Sequence, residues 1–145
     1  MTNEFLVRSG LADQPGFVMR QASLAVWNDL VTTLATVALK PQSYAALLIT
    51  DTSPGCKQQD IADALGIARP NLVALIDALV ERGLVERGVN AGDRRSYALT
   101  LTDAGRTLLD KGRVAHRLHE ARLAEALSPA EAAALLASAR KLVRG

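Results

Sequence analysis

Asp93, Arg94 and Arg95 carry the sharpest chemical signal in the chain. A carboxylate beside two guanidiniums can hold one of them by a bidentate bond and leave the other free. At a hairpin tip, a free arginine can enter a narrow DNA minor groove, drawn by its enhanced negative potential. An isolated charged turn of this kind is ordinarily just solvated, so its meaning depends on what stands before it. Upstream stand Arg69, Pro70, Asn71, Val73 and Ala74. Asn71 suits an adenine edge, Arg69 a phosphate or guanine, and Val73 and Ala74 the methyl group of thymine.

Other reactive side chains are few. Cys56 is the only cysteine, and only Lys57 is near enough in sequence to favour a thiolate, so the position reads as core packing and not as a redox sensor. His116 and His119 lie at i, i+3, a spacing that can serve a metal. A metal needs a third or fourth ligand, and Glu120 and Asp110 read as ordinary surface acids, so the expectation is solvated histidines and no metal. The chain has no Gly-rich phosphate loop, no nucleophile motif, no HExxH and no CxxC pair. An enzyme is therefore not expected, nor a cofactor.

The elements that must position these residues can be read from apolar spacing. From about Phe17 to Leu39 there is no Gly or Pro, and Leu24, Trp27, Val31 and Leu34 recur at helical intervals. Val18, Val26, Leu30 and Val37 add a second apolar face, which a single domain would not cover, so a partner chain is implied. Pro41 opens the next helix, with Tyr44, Leu47 and Leu48 inward, and Ser53-Pro54-Gly55 closes it. A short helix from about Gln58 to Leu65 buries Ile61, Ala62 and Leu65 and stops at Gly66. After Gly66-Ile67-Ala68, a helix from about Arg69 to Arg82 turns Leu72, Leu75, Ile76, Leu79 and Val80 inward. Its outward positions are Pro70, Asn71, Ala74, Asp77, Ala78 and Glu81. Phosphates would repel Asp77 and Glu81, so only the first two turns can enter DNA.

Gly83 ends that helix, and the turn-rich run 88–95 followed by Tyr97, Leu99 and Leu101 in alternation reads as a hairpin whose second strand is half-buried. Thr102 can cap a helix running to about Ala126. Ser128-Pro129-Ala130-Glu131 is a capping box that opens a last helix burying Leu135, Leu136, Ala139, Leu142 and Val143. Lys40, Lys57 and Ala68 stand where a capping oxygen is usual, and each absence costs about 1 kcal/mol.

Composition sets the outer bounds. The 145 residues are 49% hydrophobic, 22% charged and 3% aromatic, enough for a largely aliphatic core in one domain. The net charge is +2, and residues 54–106 hold seven basic against seven acidic side chains. That excludes a diffuse polyanion-binding tail, so DNA contact must come from a few placed cations. With one cysteine, no signal-like N-terminus and no run of roughly 18 apolar residues, the chain reads as cytoplasmic.

Two helices joined by a three-residue turn containing Gly, followed by a basic-tipped hairpin, make a winged helix-turn-helix. The chain resembles the MarR family through Ile61-Ala62, Leu65-Gly66, Arg69-Pro70, Leu75-Ile76-Asp77, Leu79, Arg82-Gly83-Leu84-Val85-Glu86-Arg87, Asp93-Arg94-Arg95 and Leu101-Thr102 with Gly105. The resemblance implies a mainly α fold with a small β-hairpin wing, a winged helix-turn-helix at about 39–105, and dimerisation helices at about 11–38 and 106–145. It also implies a bacterial homodimer that binds near-palindromic double-stranded DNA, usually as a repressor relieved by a small ligand. The ligand would be an aromatic acid in a cleft for which Arg20, Trp27 and Tyr44 are candidates. Val73 and Ala74 replace the Thr and Arg found in many relatives, which shifts weight to the wing. The competing reading is a winged-helix protein-interaction module without DNA binding.

Overall fold

The computed structural model describes residues 4–89 and 97–143, and its elements follow the proline, glycine and apolar punctuation of the chain. They are α1 (Glu4–Arg8), a single 3-10 turn (Leu11–Asp13), α2 (Pro15–Ala35), α3 (Pro41–Thr52), α4 (Gln58–Leu65), α5 (Arg69–Glu81), β1 (Val85–Val89), β2 (Tyr97–Leu101), α6 (Asp103–Ala126) and α7 (Pro129–Val143). The α1 segment is helical although its sequence carries no periodic signal. Two compact units make up the chain: Leu34–Arg117, and Met1–Thr33 together with Leu118–Gly145.

The first unit is built on an aliphatic core. Leu34, Leu47, Ile61, Leu72, Ile76 and Leu99 are fully buried, each contributing about 1.5–3 kcal/mol of transfer free energy. Pro41 occupies the first turn of α3, where its missing amide leaves no bond unmade. Gly66 stops α4 at φ 62°, a left-handed conformation that favours glycine, and this lets α5 start after a three-residue turn. Of the helix starts expected to lack a capping group, α4 recovers one from its own first turn: the Lys57 amide donates to Asp60 Oδ2 at 2.8 Å. No side chain of the N-cap residue caps α3 or α5.

Strands β1 and β2 pair antiparallel from Val85↔Leu101 to Val89↔Tyr97. Gly55 and Cys56 add a short bridge on the other edge of β2, with Gly55 N–H donating to Leu99 O at 2.9 Å and Leu99 N–H to Cys56 O at 3.0 Å. Leu99 and Leu101 are buried as their alternation predicts, whereas Tyr97, at the wing end of the strand, is 57% exposed. Thr102 anchors the exit from the hairpin. Its hydroxyl donates to Gly83 O at 2.7 Å and accepts from Gly105 N–H at 2.9 Å. Gly105 is needed here for close approach, because a Cβ would lie 2.0 Å from Leu84 O.

Helix α2 ends at Ala35, short of the expected Leu39. Ala38 turns left-handed at φ 57° and the Leu39 amide reaches back to Leu34 O at 3.1 Å. This is the geometry of a Schellman stop, made without the usual glycine.

In the second unit, Ser128 and Glu131 form the expected capping box. The Ser128 amide donates to Glu131 Oε2 at 2.8 Å, and the Glu131 amide donates to Ser128 Oγ at 3.4 Å. The expected burial of the α7 stripe does not hold. Leu135, Leu136, Leu142 and Val143 are all more than half exposed and Ala139 is half-buried. Val18, Met19, Leu24, Val26, Trp27 and Val31 of α2 are exposed as well. An amphipathic pattern shows that a face wants cover, not where the cover comes from.

Candidate nucleic-acid interface

Helix α5 turns Leu72, Ile76 and Leu79 into the core, which leaves the opposite face to solvent. Arg69, Pro70, Asn71 and Ala74 are exposed on its first turns, and Val73 is half-buried at the edge of that face. The structure therefore brings together five of the residues singled out for DNA contact on one accessible surface. A helix N-terminus carries unpaired amides and the positive end of the dipole, both of which favour phosphate. Asp93, Arg94 and Arg95 lie outside the described residues, between the paired strand ends Val89 and Tyr97.

Asp77, Ala78 and Glu81 continue the exposed face, but Asp77 is not the bare charge that spacing suggested. Arg87 of β1 reaches across and bonds Asp77 Oδ1 through Nη2. The Arg87 guanidinium carbon also sits 5.8 Å from the centroid of the Tyr97 ring, within cation–π range. One arginine thus ties α5 to both strands of the wing and neutralises the acid on the outward face. Nothing in local spacing announced this pair, because the partners meet only through the packing of β1 on α5.

The other candidates fall differently. Cys56 is half-buried, and burial pushes its thiol pKa up, with a hydrogen bond from Thr50 opposing the shift and the nearby Asp60 adding to it. That environment disfavours the thiolate and agrees with a packing role.

The two histidines are not solvated as expected. His116 stacks on Tyr44, with centroids 5.4 Å apart and planes 23° from parallel. His119 is 2% exposed, and its Nδ1 lies 2.5 Å from Asp29 Oδ2. Arg122 donates from Nε to Asp29 Oδ1 at 3.0 Å and from Nη2 to Asp29 Oδ2 at 2.9 Å, and it also bonds the Thr33 hydroxyl. The Arg122 bonds, followed by that of His119, hold the Asp29 carboxyl below its ordinary range. The missed signal is a stripe on α6: Gly105, Leu109, Gly112, Ala115 and His119 are all buried at helical intervals. Among the described residues, no three His, Cys, Asp or Glu side chains are grouped to hold a metal ion.

Arg20 and Trp27 lie two turns apart on α2, both exposed, with Trp27 at 47%. Tyr44 belongs to the other unit and is 8% exposed, packed against His116 and against Gly112, where a Cβ would lie 2.8 Å from its ring.

Comparison with known proteins places this architecture. The profile of the MarR family matches residues 39–96. A transcriptional repressor, CouR, bound to a 23-mer DNA duplex is 40% identical with a TM-score of 0.86, the alignment covering 92% of this chain and 94% of that one. CouR bound to p-coumaroyl-CoA is 38% identical with a TM-score of 0.83 over the same shares. A transcriptional regulatory protein assigned to the hcr operon of Thauera aromatica is 29% identical over 140 residues, 96% of this chain and 84% of that protein.

Proposed function

Because the chain belongs to the MarR family, we propose that it is a bacterial transcriptional repressor that binds a near-palindromic operator as a homodimer and releases it on binding a small aromatic effector. The observation that carries this reading is the exposed first half of α5, where Arg69 and Asn71 present a guanidinium and an amide beside small side chains, on a fold that matches a repressor bound to duplex DNA. Asn71 reads an adenine edge, and Arg69 holds phosphate or guanine. Arg94 or Arg95 enters the adjacent minor groove while Asp93 steadies its neighbour.

Dimerisation covers the apolar side chains that α2 and α7 expose, since large hydrophobic side chains exposed at helical intervals on one element call for cover from a partner. A two-fold dimer then offers two α5 helices to half-sites about one helical turn apart. The protein works in the cytoplasm, where the DNA is, and no described helix is long and apolar enough to cross a membrane. The effector reading is supported by the relative bound to p-coumaroyl-CoA.

A duplex selected from random DNA, followed by fluorescence anisotropy, tests the proposal. Replacing Arg94 and Arg95 by Ala is expected to weaken binding by at least tenfold. The salt dependence should flatten too, by about one unit of slope for every phosphate that those side chains neutralise. A protein-interaction module would select no sequence and show no such slope.

A further inference from the structure

Helix α3 starts on a cation. Its N-cap residue is Lys40, in an extended conformation (φ −96°, ψ 153°) with no side-chain cap bond. The positive end of a helix dipole favours an anion and is disfavoured by a cation, so this helix start lacks the negative charge that it would hold best. Pro41 has no amide, and the first helical bond runs from the Tyr44 amide to Lys40 O at 2.9 Å. The amides of Gln42 and Ser43 stand ahead of that ladder.

The Ser43 side chain gives a second, independent signal. The residue is 6% exposed, and its hydroxyl has no hydrogen-bond partner among the described residues. The oxygen keeps access to an open groove that Ser43 lines. A hydroxyl placed so deep without a partner costs free energy that an outside acceptor would recover.

The groove, of about 690 Å³, lies between the start of α3 and one flank of α5, wholly within the Leu34–Arg117 unit. Asn71, Leu75, Ala78 and Arg82 form one wall along a single row of α5, and Lys40, Gln42 and Ser43 form the other. Ala35, Ala38 and Ala74 bring only methyl groups to it, which leaves room for a bulky chain to approach the α3 start. Lys40 and Arg82 line the groove, and among the described residues no Asp or Glu does. Arg82 donates from Nη2 to Ala38 O at 3.0 Å, which fixes the turn that carries Lys40. Cations, a helix start and a hydroxyl around one opening suit a phosphate oxyanion.

We propose that this groove seats the sugar-phosphate backbone of the operator, with one phosphate held at the start of α3 by Lys40 and the Ser43 hydroxyl. The occupant follows from continuity. Asn71 and Ala74 line the groove and also belong to the first turns of α5, which the reading above puts in the major groove. A helix in the major groove has a strand of the duplex on each side, and the strand on this flank meets the α3 start. The inference rests on the reading of the chain as an operator-binding protein, and it adds α3 to α5 and the wing as a third element on DNA. Lys40 and Ser43 set position and not sequence, since phosphate contacts fix register without reading bases.

Lys40→Ser separates this role from a structural one. Serine at the N-cap supplies the missing oxygen, so the denaturant midpoint should rise. Loss of the cation should at the same time weaken operator binding about three- to tenfold and flatten the salt slope by about one unit for each phosphate given up. Ser43→Ala should weaken binding about two- to tenfold with the midpoint unchanged or higher, because the hydroxyl holds nothing inside the fold. Anisotropy is read on the selected duplex and on a scrambled one, and the Lys40→Ser loss should be the same factor on both. Duplexes with methylphosphonate in place of one phosphate at a time locate the contact. One position in each half-site should weaken wild type and leave Lys40→Ser unaffected.

Opposite movements of stability and affinity, together with that silent position, would establish the seat. Unchanged affinity and slope in both variants would overturn it and leave the repressor reading standing. A loss confined to the selected duplex would overturn it as well, since Lys40 would then read a base. Inorganic phosphate that raises the midpoint of wild type and not of Lys40→Ser, with equal operator affinity in the two proteins, would overturn the DNA occupant in favour of a free anion. Wild type that ignores every duplex in dilute buffer would overturn the operator-binding reading beneath it.

Discussion

Ala38 holds a left-handed backbone at φ 57°, exposed at the turn between α2 and α3. Its methyl group clashes with the backbone in that conformation at a cost of about 1–2 kcal/mol, which glycine avoids. Glycine is also more flexible in the unfolded chain, which offsets part of the gain. Ala38→Gly is therefore expected to stabilise the fold by about 0.5–1 kcal/mol, read as a higher denaturant midpoint with an unchanged slope.

Asp29 tells a different story at the same scale. Its carboxyl is held below the ordinary value of 3.8 by Arg122 and then His119. A lowered folded pKa contributes stability that is fully present above the unfolded value and is lost as pH falls through the folded one. The stability difference between wild type and Asp29→Asn should therefore shrink in acid titrations below about pH 4, as the carboxylate is protonated. This network was illegible in the sequence, since Asp29 and the pair His119 and Arg122 stand on different helices. The burial of His119 was legible, because the residue continues the stripe from Gly105 through Leu109, Gly112 and Ala115.

Elements whose cover lies in the same chain were the readable ones. Helices α4 and α5, the intervening turn and the hairpin sit where spacing puts them, because each buries one clean stripe on a shared core and is bounded by Gly66, Gly83 and Thr102. The α7 stripe has the same regularity, yet Leu135, Leu136 and Leu142 stay exposed. Periodicity alone cannot tell a core stripe from an interface stripe. The end of α2 was missed because a left-handed alanine leaves no mark in composition. The partnership of Arg87 with Asp77 also belongs to this scale, as it joins the wing to α5. Arg87→Ala is expected to loosen the wing, bare an acid toward phosphate and weaken operator binding by about tenfold. Asp77→Asn in the same chain should restore part of that affinity. A double-mutant cycle in DNA binding measures the coupling, expected at about 0.5–3 kcal/mol.

The whole molecule carries a net charge of only +2, so its affinity for DNA must come from placement and pairing and not from bulk attraction. In the proposed reading one chain offers the α5 tip together with Arg94 and Arg95. In the proposed homodimer two chains double that set, and a two-fold relation would match it to the two halves of a palindrome. The exposed apolar side chains of α2 and α7 are the surface that the proposed pairing would cover. The central claim is therefore a stoichiometry as much as an affinity. Light-scattering mass determination on the protein mixed with its selected palindromic duplex tests it in a single run. The account predicts a dimer alone at micromolar concentration and a complex of two chains on one duplex. A monomer in free solution, or a duplex that elutes without protein even in dilute buffer, would contradict it.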